Sequence, residues 1–193
     1  MKHTIVLIGM SGVGKSYHSR KLAKAGYKVF SIDDMIAKAL GEGDVHDVAS
    51  FLGQPFEEKY KEGSKKYLEL EEKFTQEAIL YAKNHKDAKI VIDTTGSVIY
   101  ISSKVLDELQ NIPNVVFLES DETLIKKMIK QYLLDPKPVI WGDMARDFTK
   151  ENYREKLTHL YPELLKTRKE KYIALSKKRI PFKEHKTKGY MVS

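Results

Sequence analysis

Apolar runs and helix-period segments alternate along this chain. Residues 4–8 form an unbroken apolar run that stops at Gly9, the pattern of a strand buried on both faces. Residues 15–25 place apolar side chains at helical spacing and end before Gly26. Residues 28–32 predict a second strand, and Asp33 or Asp34 an N-cap for a short helix through Leu40. Gly41 and Gly43 end that helix. From 44 to 83 the chain is helical in period and rich in charge, with a break expected at Gly53-Gln54-Pro55 and a second at Gly63. Residues 89–92 predict a third strand, 98–109 a helix, 114–118 a fourth strand and 121–133 a helix. Asp135-Pro136-Lys137-Pro138 is a break. Residues 149–177 read as mostly helical, with a turn or kink at Pro162, and 179–183 as a short last strand.

Alternating strands and helices imply an α/β domain with a parallel sheet covered on both faces. Two stretches depart from the alternation. Residues 41–83 form a helical insertion after the second strand, and residues 134–150 have the Pro-rich, irregular character of a lid. Neither internal repeats nor low-complexity tracts are present.

Composition narrows the class further. The chain has 193 residues, enough for one α/β domain over 1–193, and no apolar run approaches the ~18 residues of a membrane span. The apolar run near the N-terminus is too short for a signal peptide core, and there is no cysteine, so a cytoplasmic, disulfide-free protein is expected. The formal charge of +7 suits polyanionic ligands such as nucleotides, although most of the lysines fit solvated helix faces. Arginine occurs only at 20, 146, 154, 168 and 179. Its planar fork suits bidentate phosphate or carboxylate recognition, so each position matters. The six histidines show no metal spacing.

The sharpest signal is Gly9-Met10-Ser11-Gly12-Val13-Gly14-Lys15-Ser16, which matches the Walker A pattern between a predicted strand and a predicted helix. Glycines let the backbone curl so that successive N–H groups, Tyr17 included, face phosphate oxygens at the positive end of the helix. In such a loop Lys15 reaches the β and γ phosphates and the Ser16 hydroxyl ligates Mg²⁺. ATP and Mg²⁺ are therefore the expected cofactors.

Carboxylates at strand ends supply the next layer. Asp33 follows the second strand, where the ligand crevice of a parallel sheet opens, and suits the holding or deprotonation of an acceptor hydroxyl. Asp34 caps the next helix or supports its neighbour. Asp93 ends the third strand like a Walker B carboxylate. Gly96 permits close backbone approach, flanked by hydroxyls at Thr94, Thr95 and Ser97. Lys137, Arg146 and Arg154 offer positive charge in or near the expected lid. Trp141, Tyr60, Tyr67 and Leu70 read as packing residues.

Taken together, these residues resemble the shikimate kinase branch of the nucleoside-monophosphate-kinase-like P-loop proteins. The likeness runs over nearly the whole chain. After the P-loop comes Lys21-Leu22-Ala23-Lys24, similar to the family's Leu-Ala-Lys helix ending. Ser31-Ile32-Asp33-Asp34-Met35-Ile36 resembles its Asp-x-Asp-x-x-Ile, with Asp33 on the substrate-binding carboxylate and Ser31 in place of its partner. Thr95-Gly96-Ser97 stands where the family has a triple-glycine substrate loop. Lys127 occupies the place of an adenine-stacking arginine, and Lys137-Pro138-Val139-Ile140 answers the lid's Arg-Pro-Leu-Leu. Arg168 falls on an arginine that grips the substrate carboxylate, while Leu68 stands where a second such arginine is usual.

The resemblance implies a doubly wound five-stranded parallel sheet of order 2-3-1-4-5. It implies an ATP-dependent phosphotransferase acting on a hydroxylated, anionic small molecule. Lys15, Asp33 and Lys137 are its expected catalytic groups. Residues 9–17 and Lys127 would hold the nucleotide, Asp33, Gly96, Ser97 and Arg168 the acceptor, and Ser16 and Asp93 the metal. A kinase of nucleotides or nucleic-acid ends, and a nucleotide-binding regulator without turnover, are the alternatives. Neither nucleic acid nor membrane is expected as a partner, and a monomer or homodimer suits the size.

Overall fold

The computed structural model of the protein describes residues 1–41, 48, 51–187, 190 and 192. The expected break at Gly43 and the start of the helical stretch at 44–47 lie outside the described residues. Five strands, β1 (Thr4–Ile8), β2 (Lys28–Ser31), β3 (Ile90–Asp93), β4 (Asn114–Leu118) and β5 (Lys178–Ile180), form one sheet in the order β2-β3-β1-β4-β5. All four pairings are parallel. β1 and β3 are buried along their whole length, which is why their sequences show continuous apolar runs rather than alternation. The outer strands β2 and β5 carry their exposed lysines at the sheet edges, where charge discourages pairing with another chain.

The helices α1 (Lys15–Lys24), α2 (Ile32–Ala39), α3 (Glu58–Asn84), α4 (Ser103–Gln110), α5 (Glu122–Leu134) and α6 (Tyr153–Leu175) lie between these strands, and α7 (Phe182–His185) follows the last of them. Two 3₁₀ turns, Val98–Tyr100 and Gly142–Asp147, complete them. Asp121 caps α5 by accepting from the Leu124 N–H at 2.8 Å.

Several local expectations are corrected. The N-cap of α2 is Ser31, and Asp33 and Asp34 lie inside the first turn, where acidic groups face the positive helix end. Gly63 does not break a helix but sits within the 27 residues of α3. A Cβ there would lie 3.1 and 3.2 Å from the carbonyl oxygens of Phe51 and Leu52, so glycine admits a crossing backbone. Pro162 also lies inside a continuous helix, α6. Its missing N–H leaves the carbonyl of exposed Thr158 to water, while Leu157, Tyr161, Leu164 and Leu165 keep the buried face in place. The helix expected at 98–109 is instead divided at Ile101 and Ser102. There Glu72 of α3 accepts from the Ser102 N–H (3.0 Å) and hydroxyl (2.7 Å). The last strand stops at Ile180, because Pro181 has no N–H to continue the ladder.

Register positions the functional edge. Leu7 pairs with Asp93, and Asp93 with Ser31. The carboxyl ends of β1, β2 and β3 are thus level, and the three loops that follow them open side by side.

Candidate functional site

The loop after β1 turns through left-handed glycines, Gly9 (φ 145°), Gly12 (φ 76°) and Gly14 (φ 111°), and delivers the N-terminus of α1. A side chain at Gly9 would meet the Leu118 carbonyl at 2.8 Å. Met10 and Val13 point into the core, so the loop offers its amides rather than side chains to a ligand. Ser11, Ser16 and Tyr17 are exposed. Lys15 is buried and folds back on the loop, donating to the carbonyls of Gly9 (3.0 Å) and Met10 (3.1 Å). Burial depresses its pKa, while the nearby carboxylates of Asp33 and Asp93 act in the opposite direction.

Asp93, at the end of β3, is 3% exposed and accepts from the Ser19 hydroxyl at 2.8 Å. Burial raises its pKa, against Lys15 and the hydroxyls of Ser19 and Ser16. Asp33 is half-buried at the start of α2, with the Tyr67 hydroxyl 3.4 Å from its Oδ1. Burial raises the Asp33 pKa too, and Lys15 opposes it. Asp34 is exposed.

The loop after β3 is fixed from below. Thr94 donates its hydroxyl to the Leu7 carbonyl at 2.8 Å. The hydroxyls of Thr95 and Ser97 both donate to Glu71, a fully buried carboxylate on α3, the latter at 2.8 Å. Burial pushes Glu71 up to about 7, with the two hydroxyls pulling the other way. Between these residues, Gly96 lies against the P-loop: a Cβ would come within 3.2 Å of the Ser11 nitrogen and 3.5 Å of Arg168 Nη1. The Gly96 carbonyl accepts from the Tyr172 hydroxyl.

Arg168 comes from α6 and is 6% exposed. Its Nη2 donates to the Ile140 carbonyl at 2.6 Å, and its Nε has no hydrogen-bond partner among the described residues. Asp33 and Arg168 line one cavity of about 150 Å³ with Ser11, Tyr67 and Gly96. Val48, Leu52, Val139 and Ile140 give that cavity an apolar wall. Leu68 faces a different groove, beside Tyr100 and Ile101.

Residues 136–141 are tied to this wall by Tyr60, which reads as a packing residue in the sequence, and by Gln54. The Tyr60 hydroxyl donates to the Val139 carbonyl (2.9 Å) and accepts from the Trp141 N–H (2.8 Å). Gln54 donates to the Pro136 carbonyl at 3.1 Å and accepts from the Tyr153 hydroxyl. Trp141 is buried edge-on against Phe148, beside the stacked pair Tyr132 and Tyr161. Lys137 is exposed and paired with Asp135 at 2.7 Å, in a groove that also touches Ser11 and Gly12. Lys127 lies exposed on α5 and lines neither this groove nor the cavity. Arg146 and Arg154 are exposed.

The structure therefore brings Lys15, Asp33, Asp93, Gly96, Ser97 and Arg168 together and leaves Lys127 apart. Sequence reading missed Tyr67, Glu71 and Ser19. Tyr67 and Glu71 share a helical stripe with Tyr60, a spacing indistinguishable from packing until the β3 loop is seen against it.

Curled amides, a buried lysine and a helix N-terminus fit a nucleotide's phosphates. The Ser16 hydroxyl lies within reach of the Asp93 carboxylate, and two such hard oxygens suit a magnesium ion. None of the described helices is long and apolar enough to cross a membrane.

No family model matches the sequence, and no curated protein matches it. Solved structures do. Shikimate kinase from Bacteroides thetaiotaomicron superposes with a TM-score of 0.61 at 15% identity, covering 96% of this chain and 89% of that one. Shikimate kinase from Acinetobacter baumannii, in complex with shikimate, gives 0.59 at 21%, covering 92% and 82%. Shikimate kinase from Aquifex aeolicus gives 0.52 at 14%, covering 93% and 86%. Five parallel strands in the order 2-3-1-4-5, a P-loop after the first and this extent of superposition give the chain a shikimate kinase-like fold.

Proposed function

We propose that the protein is an ATP-dependent kinase that phosphorylates a hydroxyl of a small molecule carrying one anionic group. The observation that carries this reading is the cavity shared by Asp33 and Arg168 beside the P-loop and Lys15. A guanidinium lining the cavity suits a carboxylate or phosphate on the acceptor. Asp33 holds the acceptor hydroxyl and takes its proton at a carboxylate oxygen; burial, by raising its pKa, favours that role. Bound ATP supplies the phosphoryl group, and Mg²⁺ offsets its charge. Lys15 adds positive charge at the transferring group, and Ser16 with Asp93 holds the ion. Residues 134–150 act as the lid, excluding water, with Lys137 as its cation. Residues 41–83 form the acceptor-binding insertion, and the whole chain acts as one kinase domain.

With Leu68 turned away from the cavity, the acceptor meets one arginine and an apolar wall. Shikimate is therefore one member of a wider panel of hydroxylated acids. The test is ADP release from Mg²⁺ATP across that panel, with Lys15→Ala and Asp33→Asn alongside. Acceptor-dependent turnover, abolished in Lys15→Ala and reduced at least a hundredfold in Asp33→Asn, is expected on the scale of general-base and positioning effects. ATP binding with no turnover on any acid would sink the reading and favour a nucleotide or nucleic-acid-end kinase, or a regulator.

A further inference from the structure

The P-loop has a second cation beside it, and it comes from the far end of the chain. The ammonium of Lys186 lies 3.4 Å from where a Cβ on Gly14 would stand. Gly14 is the last residue before α1 and is left-handed, so Lys186 lies beside the start of that helix. Lys186 is exposed and makes no ion pair among the described residues; it leans over the Phe182 ring at 5.4 Å. Lys137, by contrast, is already paired with Asp135.

This placement is built rather than incidental. α7 is anchored by His185, whose Nε2 is 2.9 Å from the Glu119 carbonyl oxygen just past β4. His18 of α1 packs edge-on against both His185 (5.6 Å between centroids) and Tyr190 (6.1 Å). Lys21 of α1 donates to the Tyr190 carbonyl. Burial holds both imidazoles below their usual pKa, His18 at about 4, and the Lys186 charge acts in the same direction on each. Two carboxylates stand near this corner: Glu119, under α7, is paired with Arg179, and Glu184 of α7 acts on His185 and Tyr190 but forms no ion pair with Lys186 among the described residues.

We propose that Lys186 is a second phosphate-binding cation of the nucleotide site, delivered by docking of α7 and Tyr190 onto α1. This rests on the P-loop binding nucleotide. An ammonium at the helix N-terminus complements the negative charge of the phosphate chain. Lys15 approaches the same cradle from inside the loop and Lys186 from its outer lip.

Calorimetric titration of ATP, ADP and adenosine into the wild type, Lys186→Met and Lys186→Arg tests this at two salt concentrations. Lys186→Met weakens ATP and ADP binding about tenfold, leaves adenosine unchanged and flattens the salt dependence; Lys186→Arg retains most of the affinity. Equal ATP and ADP affinity in the wild type and Lys186→Met would overturn the proposal and leave the kinase reading standing. A parallel loss of adenosine binding would overturn it as well, since Lys186 would then act on the nucleoside. A wild type that binds no nucleotide would overturn both.

Discussion

Glu71 makes the stability of this protein depend on pH in a direction that can be worked out in advance. It is fully buried and held at about 7 against an ordinary value of 4.5. Between those values the folded chain keeps a proton that the unfolded chain releases. Raising the pH then favours unfolding. The stabilisation is fully present below 4.5 and is lost as pH rises through about 7. At 1.36 kcal/mol per pH unit, the gap between 4.5 and about 7 amounts to ~3 kcal/mol. Asp33 and Asp93 are also raised by burial and act with the same sign, so the wild-type curve alone does not isolate Glu71. Glu71→Gln does, because its amide is neutral throughout and can still bond the Thr95 and Ser97 hydroxyls. The assay is urea unfolding at pH 5, 6, 7 and 8, followed by the fluorescence of the single tryptophan, buried Trp141. Because part of this is already lost at pH 5, the wild type should lose ~2.5 kcal/mol relative to Glu71→Gln across this range, a shift in midpoint difference on the order of 1 M urea. A difference that stays constant with pH would refute the reasoning, because Glu71 would then titrate as it does in the unfolded chain.

Three further outcomes follow from the geometry. Tyr60→Phe strands the Val139 carbonyl and the Trp141 N–H, and should cost about 2–4 kcal/mol, a fall of roughly 5–15 °C in Tm by scanning calorimetry; an unchanged Tm would mean the two groups find other partners. Gly96→Ala sets a Cβ 3.2 Å from the Ser11 nitrogen, so ATP affinity measured by titration should fall severalfold while stability changes by less than ~1 kcal/mol; the reverse pattern would place the strain in the fold instead. Asp93→Asn should remove most of the Mg²⁺-dependent gain in nucleotide affinity, measured with and without the ion, and an undiminished gain would show that Asp93 does not support the metal.

Much of this molecule is legible along its chain. β1 and β4 run over the residues that their apolar patterns mark, because buried parallel strands need continuous hydrophobic runs. The P-loop is legible because its chemistry is local: glycines, a lysine and a helix start must be adjacent to make an amide cradle. Asp93 and Asp33 are legible as residues at strand ends, where parallel sheets open. What sequence alone leaves open concerns contacts between distant segments. Gly63 looks like a helix breaker and is not, because a crossing backbone decides the outcome, and at Pro162 no turn interrupts α6, whose buried stripe runs on past it. Tyr60, Tyr67 and Glu71 share one helical spacing, yet one ties residues 139–141, one touches Asp33 and one carries the Gly96 loop. Lys186 stands 172 positions beyond Gly14, and only the docking of the C-terminal segment on α1 brings it there. Local geometry is written in neighbouring residues, whereas the partners of a side chain are set by how helices cross, and that depends on the packing of the whole.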